Sequence, residues 1–209
     1  MKYLEFKNAV RRFAVISATE LSAITENPQV LGIQLHAWQK KGLVIRLKRG
    51  LYILNENDRK IHPSRIFLAN ALYPHSYVST EYALGYYDLI PEKVEDVTSI
   101  TTSNTAEFRN AFGSFVYQHV KTTRFFGFTD REDENRLPVL LADPEKALLD
   151  FIYFNLQNFR DKDVFEMSYR FQNLDILNGS KLMDYAERYG KKGVIHVATS
   201  FLDFMAESE

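Results

Sequence analysis

The chain contains no cysteine. That absence removes disulfides, thiolate nucleophiles and cysteine metal sites together, and it suits a reducing compartment, so the expected location is the cytoplasm. No apolar run reaches the ~18 residues of a membrane-spanning helix. The opening MKYLEFKNAV has no apolar stretch of the signal-peptide kind. The five histidines, His36, His62, His75, His119 and His196, include no pair four residues apart and no His-Glu-x-x-His, so no zinc site is expected. Glycine-rich phosphate loops and the Gly-x-Ser-x-Gly turn of serine hydrolases are also missing, as are repeats and low-complexity tracts. These absences leave no cofactor, no metal and no catalytic residue to assign.

What is present is the composition of a folded protein: 209 residues, 45% hydrophobic and 25% charged. The net charge of −1 hides an asymmetry. Residues 1–60 carry eleven Lys and Arg against five Asp and Glu, whereas residues 61–209 carry fifteen against twenty-two. A basic arm suited to polyanions is thereby joined to an acidic body. The polar run Asn55 to Lys60, just before His62-Pro63, marks the boundary, giving domains 1–60 and 61–209. Pro63 is placed to open a helix.

The first segment reads helix, helix, helix, hairpin. Tyr3 to Phe13 is the first helix. Thr19 caps a second over Glu20 to Thr25, and Glu26-Asn27-Pro28 is the turn. The third runs from about Pro28 to Lys41 with Leu31, Leu35 and Trp38 on one face, and Gly42 ends it. Leu43 to Leu47 and Leu51 to Leu54 are the hairpin strands around Lys48-Arg49-Gly50. This order is that of a winged helix-turn-helix that binds double-stranded DNA. At 100° per residue, Gln29, Ile33, His36 and Lys40 lie opposite the apolar stripe. Gln and His can meet base edges, Ile a thymine methyl, and Lys40 and Lys41 phosphates. Arg46, Lys48 and Arg49 make a basic wing, with Arg46 and Lys48 expected to point away from the core. A basic, solvated hairpin on a protein-binding domain is the alternative.

The second segment mixes elements: helices over Ser64–Leu72 and Thr80–Tyr87, strands over Val97–Thr102, Ser114–Val120, Arg124–Phe128 and Pro138–Ala142, then helices to the C-terminus. The whole is an α+β (mixed) chain, an N-terminal winged helix-turn-helix followed by a larger mixed α/β domain. The strand order is not legible. The acidic stretch Asp130 to Glu134 reads as a solvated loop, and the last helices run from Asp163. Asp143 and Glu145 are the one carboxylate pair that a magnesium-dependent nuclease could use. They read instead as a helix cap and an acid near the positive helix end, around Pro144.

Several segments together resemble the AbiEi-type antitoxins of type IV toxin–antitoxin systems. They are Leu43 to Tyr52, Tyr77 to Leu84, Leu89 to Glu92, Val97 to Thr102, Phe112 to Phe115, Phe125 to Phe128 and Pro144 to Asp150, in the family's order over roughly residues 15 to 155. The resemblance implies a transcriptional autorepressor whose second domain counters a nucleotidyltransferase-like toxin, with an association to abortive defence against phage. It leaves open whether the body touches the toxin, its substrate or neither. A stand-alone regulator whose acidic domain senses a small ligand is the other reading of this organisation.

Overall fold

Apolar residues at helical spacing, followed by two short alternating runs, build three helices and a hairpin at the start of the chain. The computed structural model describes residues 1–25, 27–159 and 164–207. Helix α1 (Tyr3–Val10) buries Phe6 and Val10. It stops before Phe13 because the chain must extend to pair Ile16 with Tyr52, through two backbone hydrogen bonds of 2.8 and 2.9 Å. Ser17, not Thr19, caps α2 (Ala18–Ile24): its hydroxyl accepts from the Thr19 N–H while Glu20 takes the Ser17 N–H, a capping box. Helix α3 (Pro28–Lys40) is capped by Asn27, whose side chain accepts from the Val30 N–H. Gly42, at φ +68°, allows the sharp exit that follows. Strands β1 (Val44–Lys48) and β2 (Leu51–Leu54) pair antiparallel, with a register irregularity between Arg46 and Lys48. Glu26 of the expected turn and Asp163 of the expected last helices lie outside the described residues.

The body is mixed α and β. Helix α4 (Arg65–Leu72) starts after Ser64, whose hydroxyl accepts from the Phe67 N–H, so Pro63 precedes the helix rather than opening it. There follow β3 (Ser76–Val78), α5 (Thr80–Tyr86), β4 (Val97–Thr101), β5 (Ala106–Asn110), β6 (Gly113–His119), β7 (Phe128–Glu132), β8 (Pro138–Ala142), α6 (Pro144–Phe154), α7 (Gly179–Tyr189) and α8 (Lys192–Glu207). The six strands of the body form one sheet in the order β5-β6-β4-β3-β8-β7. Val78 pairs with Ser99 and Ser99 with Tyr117, so Tyr77 and Tyr117 stand on opposite faces. The Tyr117 hydroxyl donates to Ala69 of α4, and the Tyr77 hydroxyl to Asp150 of α6. Helices therefore cover both faces.

Two expectations for the body are corrected, and two strands are added. Arg124–Phe128 is not a strand: Thr122–Arg124 is a 3-10 turn and the strand begins at Phe128, because Gly127 at φ +73° breaks extension. Asp130 to Glu132 belong to β7, an edge strand whose charged side chains face solvent, and only the residues after it turn. β3 and β5 were not anticipated; β3 is three residues long and buried throughout, too short to show a period.

The sheet's centre is polar. Lys146 and Asp150, one turn apart on α6, form an ion pair with no exposed side-chain surface. Asp150 also accepts from the hydroxyls of Tyr77 (2.9 Å), Ser79 (2.8 Å) and Tyr189 (3.1 Å). The Lys146 ammonium lies about 5 Å from the ring centroids of Phe126 (5.2 Å) and Tyr189 (4.8 Å). Burial pushes its pKa below the ordinary lysine value, against the pull of Asp150.

Two hydrophobic cores are joined by the hairpin. Phe6, Val10, Ile16, Leu31, Leu35, Trp38, Val44 and Leu54 form the smaller one. Leu47, Leu51 and Ile53 of the same hairpin belong to the core of the body. The polar run after β2 closes the small core from outside: Asp58 accepts from the Tyr3 hydroxyl (2.6 Å) and from the Lys7 ammonium (2.8 Å).

Two stability predictions follow from these polar contacts. Asp150→Ala should cost about 3–5 kcal/mol, since it strands a buried ammonium, and Lys146→Met in the same chain should recover part of it; urea unfolding that shows a loss below about 1 kcal/mol for the single variant would contradict the role given to the pair. Asp58 is held below the ordinary aspartate pKa by its hydrogen bonds from Lys7 and Tyr3. Its stabilisation is therefore present above the unfolded-state pKa of about 3.9 and lost as pH falls through the lower folded value. Asp58→Asn should melt earlier than the parent at pH 7, by roughly 1 kcal/mol, and the two melting curves should converge in the acid range below that unfolded value. A gap that persists there would assign the effect to something other than the charge.

Candidate nucleic-acid interface

The surface of α3 is divided by its own period. Leu31, Leu35 and Trp38 are buried against α1 and the hairpin, with the Trp38 ring 4.8 Å from that of Phe6. The opposite side is open: Gln29, His36, Lys40 and Lys41 are exposed, and Ile33 keeps 73% of its surface in water. An isoleucine so exposed is an apolar point directed outward. Val30 and Ala37, which the sequence reading passed over, are also exposed. They follow from the same arithmetic, because 30, 33 and 37 share a face.

The hairpin supplies further exposed cations. Arg46 and Arg49 are exposed, and the Arg46 Nε–H donates to the Lys48 carbonyl (3.3 Å). Lys48 is different, and its expected outward direction is corrected. The irregularity after Arg46 changes the alternation, so that Leu47 enters the core of the body and Lys48 follows it inward. Its ammonium donates to the Leu72 carbonyl at the end of α4 and lies 5.6 Å from the centre of the Phe108 ring. Partial burial lowers its pKa. Lys48 is thus a strut between hairpin and body, matched by Asn110, whose side chain donates to the Leu47 carbonyl (3.3 Å).

Few of the segment's acids oppose these cations. Asp58 is taken by Lys7 and Tyr3, Glu5 by the Lys2 backbone N–H, and Glu20 by Ser17. The exposed positive charges of α3 and the hairpin have no ion-pair partner among the described residues.

The carboxylates of the body are arranged otherwise. Asp143 occupies the cap position of α6, but its side chain caps nothing; it accepts from the Tyr185 hydroxyl (3.1 Å) and pairs with Lys181 (3.2 Å). Glu145 accepts from the Asn178 N–H (2.9 Å) and pairs with the same Lys181 (2.9 Å). Lys181 loses some water, which acts to lower its pKa, but the two carboxylates hold it above the ordinary lysine value. An ammonium therefore occupies the space between the two acids, and they fasten α7 to the start of α6. No group of three or more His, Asp or Glu that could hold a metal occurs among the described residues, nor any helix long and apolar enough to cross a membrane. The Lys146–Asp150 centre is sealed from any substrate. Compared with known proteins, the chain matches no family model and no curated protein.

Proposed function

We propose that residues 1–60 are a winged helix-turn-helix that binds double-stranded DNA, with α3 in the major groove and the β1–β2 hairpin as the wing. In this reading the chain is a transcriptional autorepressor and the antitoxin of a type IV system, with residues 61–209 countering a nucleotidyltransferase-like toxin. The observation that carries the DNA reading is the outward face of α3, polar and apolar by turns, together with the exposed Arg46 and Arg49 on a hairpin that shares its core. A helix of thirteen residues is about 20 Å long and of a width the major groove admits. The isolated bridge between Ile16 and Tyr52 ties the chain before α2 to the edge of the hairpin, an arrangement that suits a wing. The antitoxin part rests on the resemblance. Its segments Tyr77–Leu84, Phe125–Phe128 and Pro144–Asp150 all contribute side chains around the Lys146–Asp150 pair. No catalytic step is assigned.

Binding of the full chain to DNA from upstream of its own gene, measured against salt, tests the first part. Arg46→Ala/Arg49→Ala should weaken binding to all sequences alike and lower the slope of log K against log salt by about two. Lys48→Ala should leave the slope unchanged while lowering the melting temperature. Equal salt slopes for the Arg double variant and the parent would remove the wing from the interface. His36→Ala and Gln29→Ala should instead reduce discrimination between sequences, where one wrong base pair costs about 1–3 kcal/mol. For the second part, the parent and the Arg double variant are each expressed with the adjacent gene. Growth should be rescued by both, while repression is lost in the variant. Rescue that disappears with repression would make repression the whole antitoxin mechanism.

A further inference from the structure

Arg65, the first residue of α4, is an arginine without a carboxylate. Its guanidinium donates to the Glu95 carbonyl and lies near the Tyr82 and Phe115 rings, at 5.7 and 5.8 Å from their centroids. It forms no ion pair among the described residues, and its Nε–H is buried with no acceptor. Gly113, the first residue of β6, lies against it: φ +110° there disfavours any side chain, and a Cβ would stand 2.7 Å from the guanidinium, which would have to move aside. A guanidinium offers five donors and favours planar, two-point recognition of anions, and most of that capacity is unused here.

Arg65 forms part of the wall of a cleft of about 460 Å³, together with Tyr82, Tyr86, Lys93 and Val94. That volume lies in the range of small-molecule sites. Tyr86 packs edge-on against Tyr87, with 5.3 Å between ring centroids, and keeps 54% of its surface exposed. The cleft's one carboxylate, Glu92, is neutralised by Arg170. A neighbouring pocket of about 250 Å³ is also lined by Arg65 and Lys93, together with the carboxylates Glu95 and Asp96. Two cations, a tyrosine surface and acceptors for hydroxyl groups thus adjoin one another. We propose that this cleft binds a nucleoside monophosphate, with the base against Tyr82 and Tyr86, the phosphate at Arg65 and Lys93, and the ribose hydroxyls toward Glu95 and Asp96. The site is independent of the DNA reading, since none of its residues belongs to the first sixty.

Titration calorimetry of the full chain with AMP, GMP, CMP and UMP tests it, with adenosine and inorganic phosphate as the two halves of the ligand. At least one nucleotide should bind at micromolar to sub-millimolar concentration, and each half should bind at least about tenfold more weakly. Lys93→Ala and Tyr86→Ala, both at the cleft's open side, should each weaken the nucleotide severalfold with no change in melting temperature. Arg65→Gln should abolish binding, and the two milder variants keep the test valid if that chain fails to fold. No nucleotide binding by the parent up to several millimolar would overturn the proposal. So would binding that Lys93→Ala and Tyr86→Ala leave intact, or phosphate binding as tightly as the nucleotide.

Discussion

The ion pair between Lys146 and Asp150 is the constraint around which the body is arranged. Neither side chain has any exposed surface, and two unsolvated charges are tolerable only if their remaining hydrogen-bonding capacity is met. The hydroxyls that meet it come from β3, from the turn after it, and from α7, so one carboxylate ties the middle of the sheet to two helices. Phe126 and Tyr189 face the ammonium, and a side chain at Gly127 would crowd its stem, since a Cβ there would stand 3.1 Å from the Lys146 Cβ and Cδ. Thr80 sits at φ +54°, a left-handed conformation unfavourable for a β-branched residue. The surrounding contacts hold it there, since Ser79 just before it must present its hydroxyl to Asp150.

A second organising element is the β1–β2 hairpin, which has a side in each core. Val44 and Leu54 close the small core, and Leu47, Leu51 and Ile53 enter the large one. Two polar struts, Lys48 to the Leu72 carbonyl and Asn110 to the Leu47 carbonyl, fix the hairpin on the body. The elements that supply those struts also shape the Arg65 cleft. Helix α4 carries Arg65 at one end and Leu72 at the other, and the β5–β6 hairpin carries both Asn110 and Gly113. The basic segment is therefore braced by the body through short packed elements, rather than tethered to it by a linker. The polar run Asn55 to Lys60 fits this picture, since Asp58 turns back onto α1.

Local signals made much of the small segment legible. The stripe of Leu31, Leu35 and Trp38 defines the buried side of α3 by itself, and the exposed positions follow from rotation about the helix axis. The cap of α2 was legible in the Ser17-x-x-Glu20 spacing of a capping box, which the structure realises in place of the expected Thr19 cap. The direction of Lys48 was not legible, because alternation assumes a regular ladder and the register changes one residue earlier.

The sequence by itself determined what depends on near neighbours: the three helices and hairpin of the first segment, the glycine exits at Gly42 and Gly50, the mixed α and β content, and the division of charge. These follow from periodicity, backbone stereochemistry and composition, all local quantities. Only the tertiary structure decided the strand order and the place of β3, whose three residues are central yet carry no period. It also decided that Lys146 and Asp150 are buried together, that Asp143 and Glu145 share Lys181 across more than thirty residues, and that Arg65 meets a cleft rather than an acid. The Lys181 pairings and the hydroxyls gathered on Asp150 join segments far apart in the chain, and a charged residue reads alike whether its partner is water, a distant lysine or a ligand.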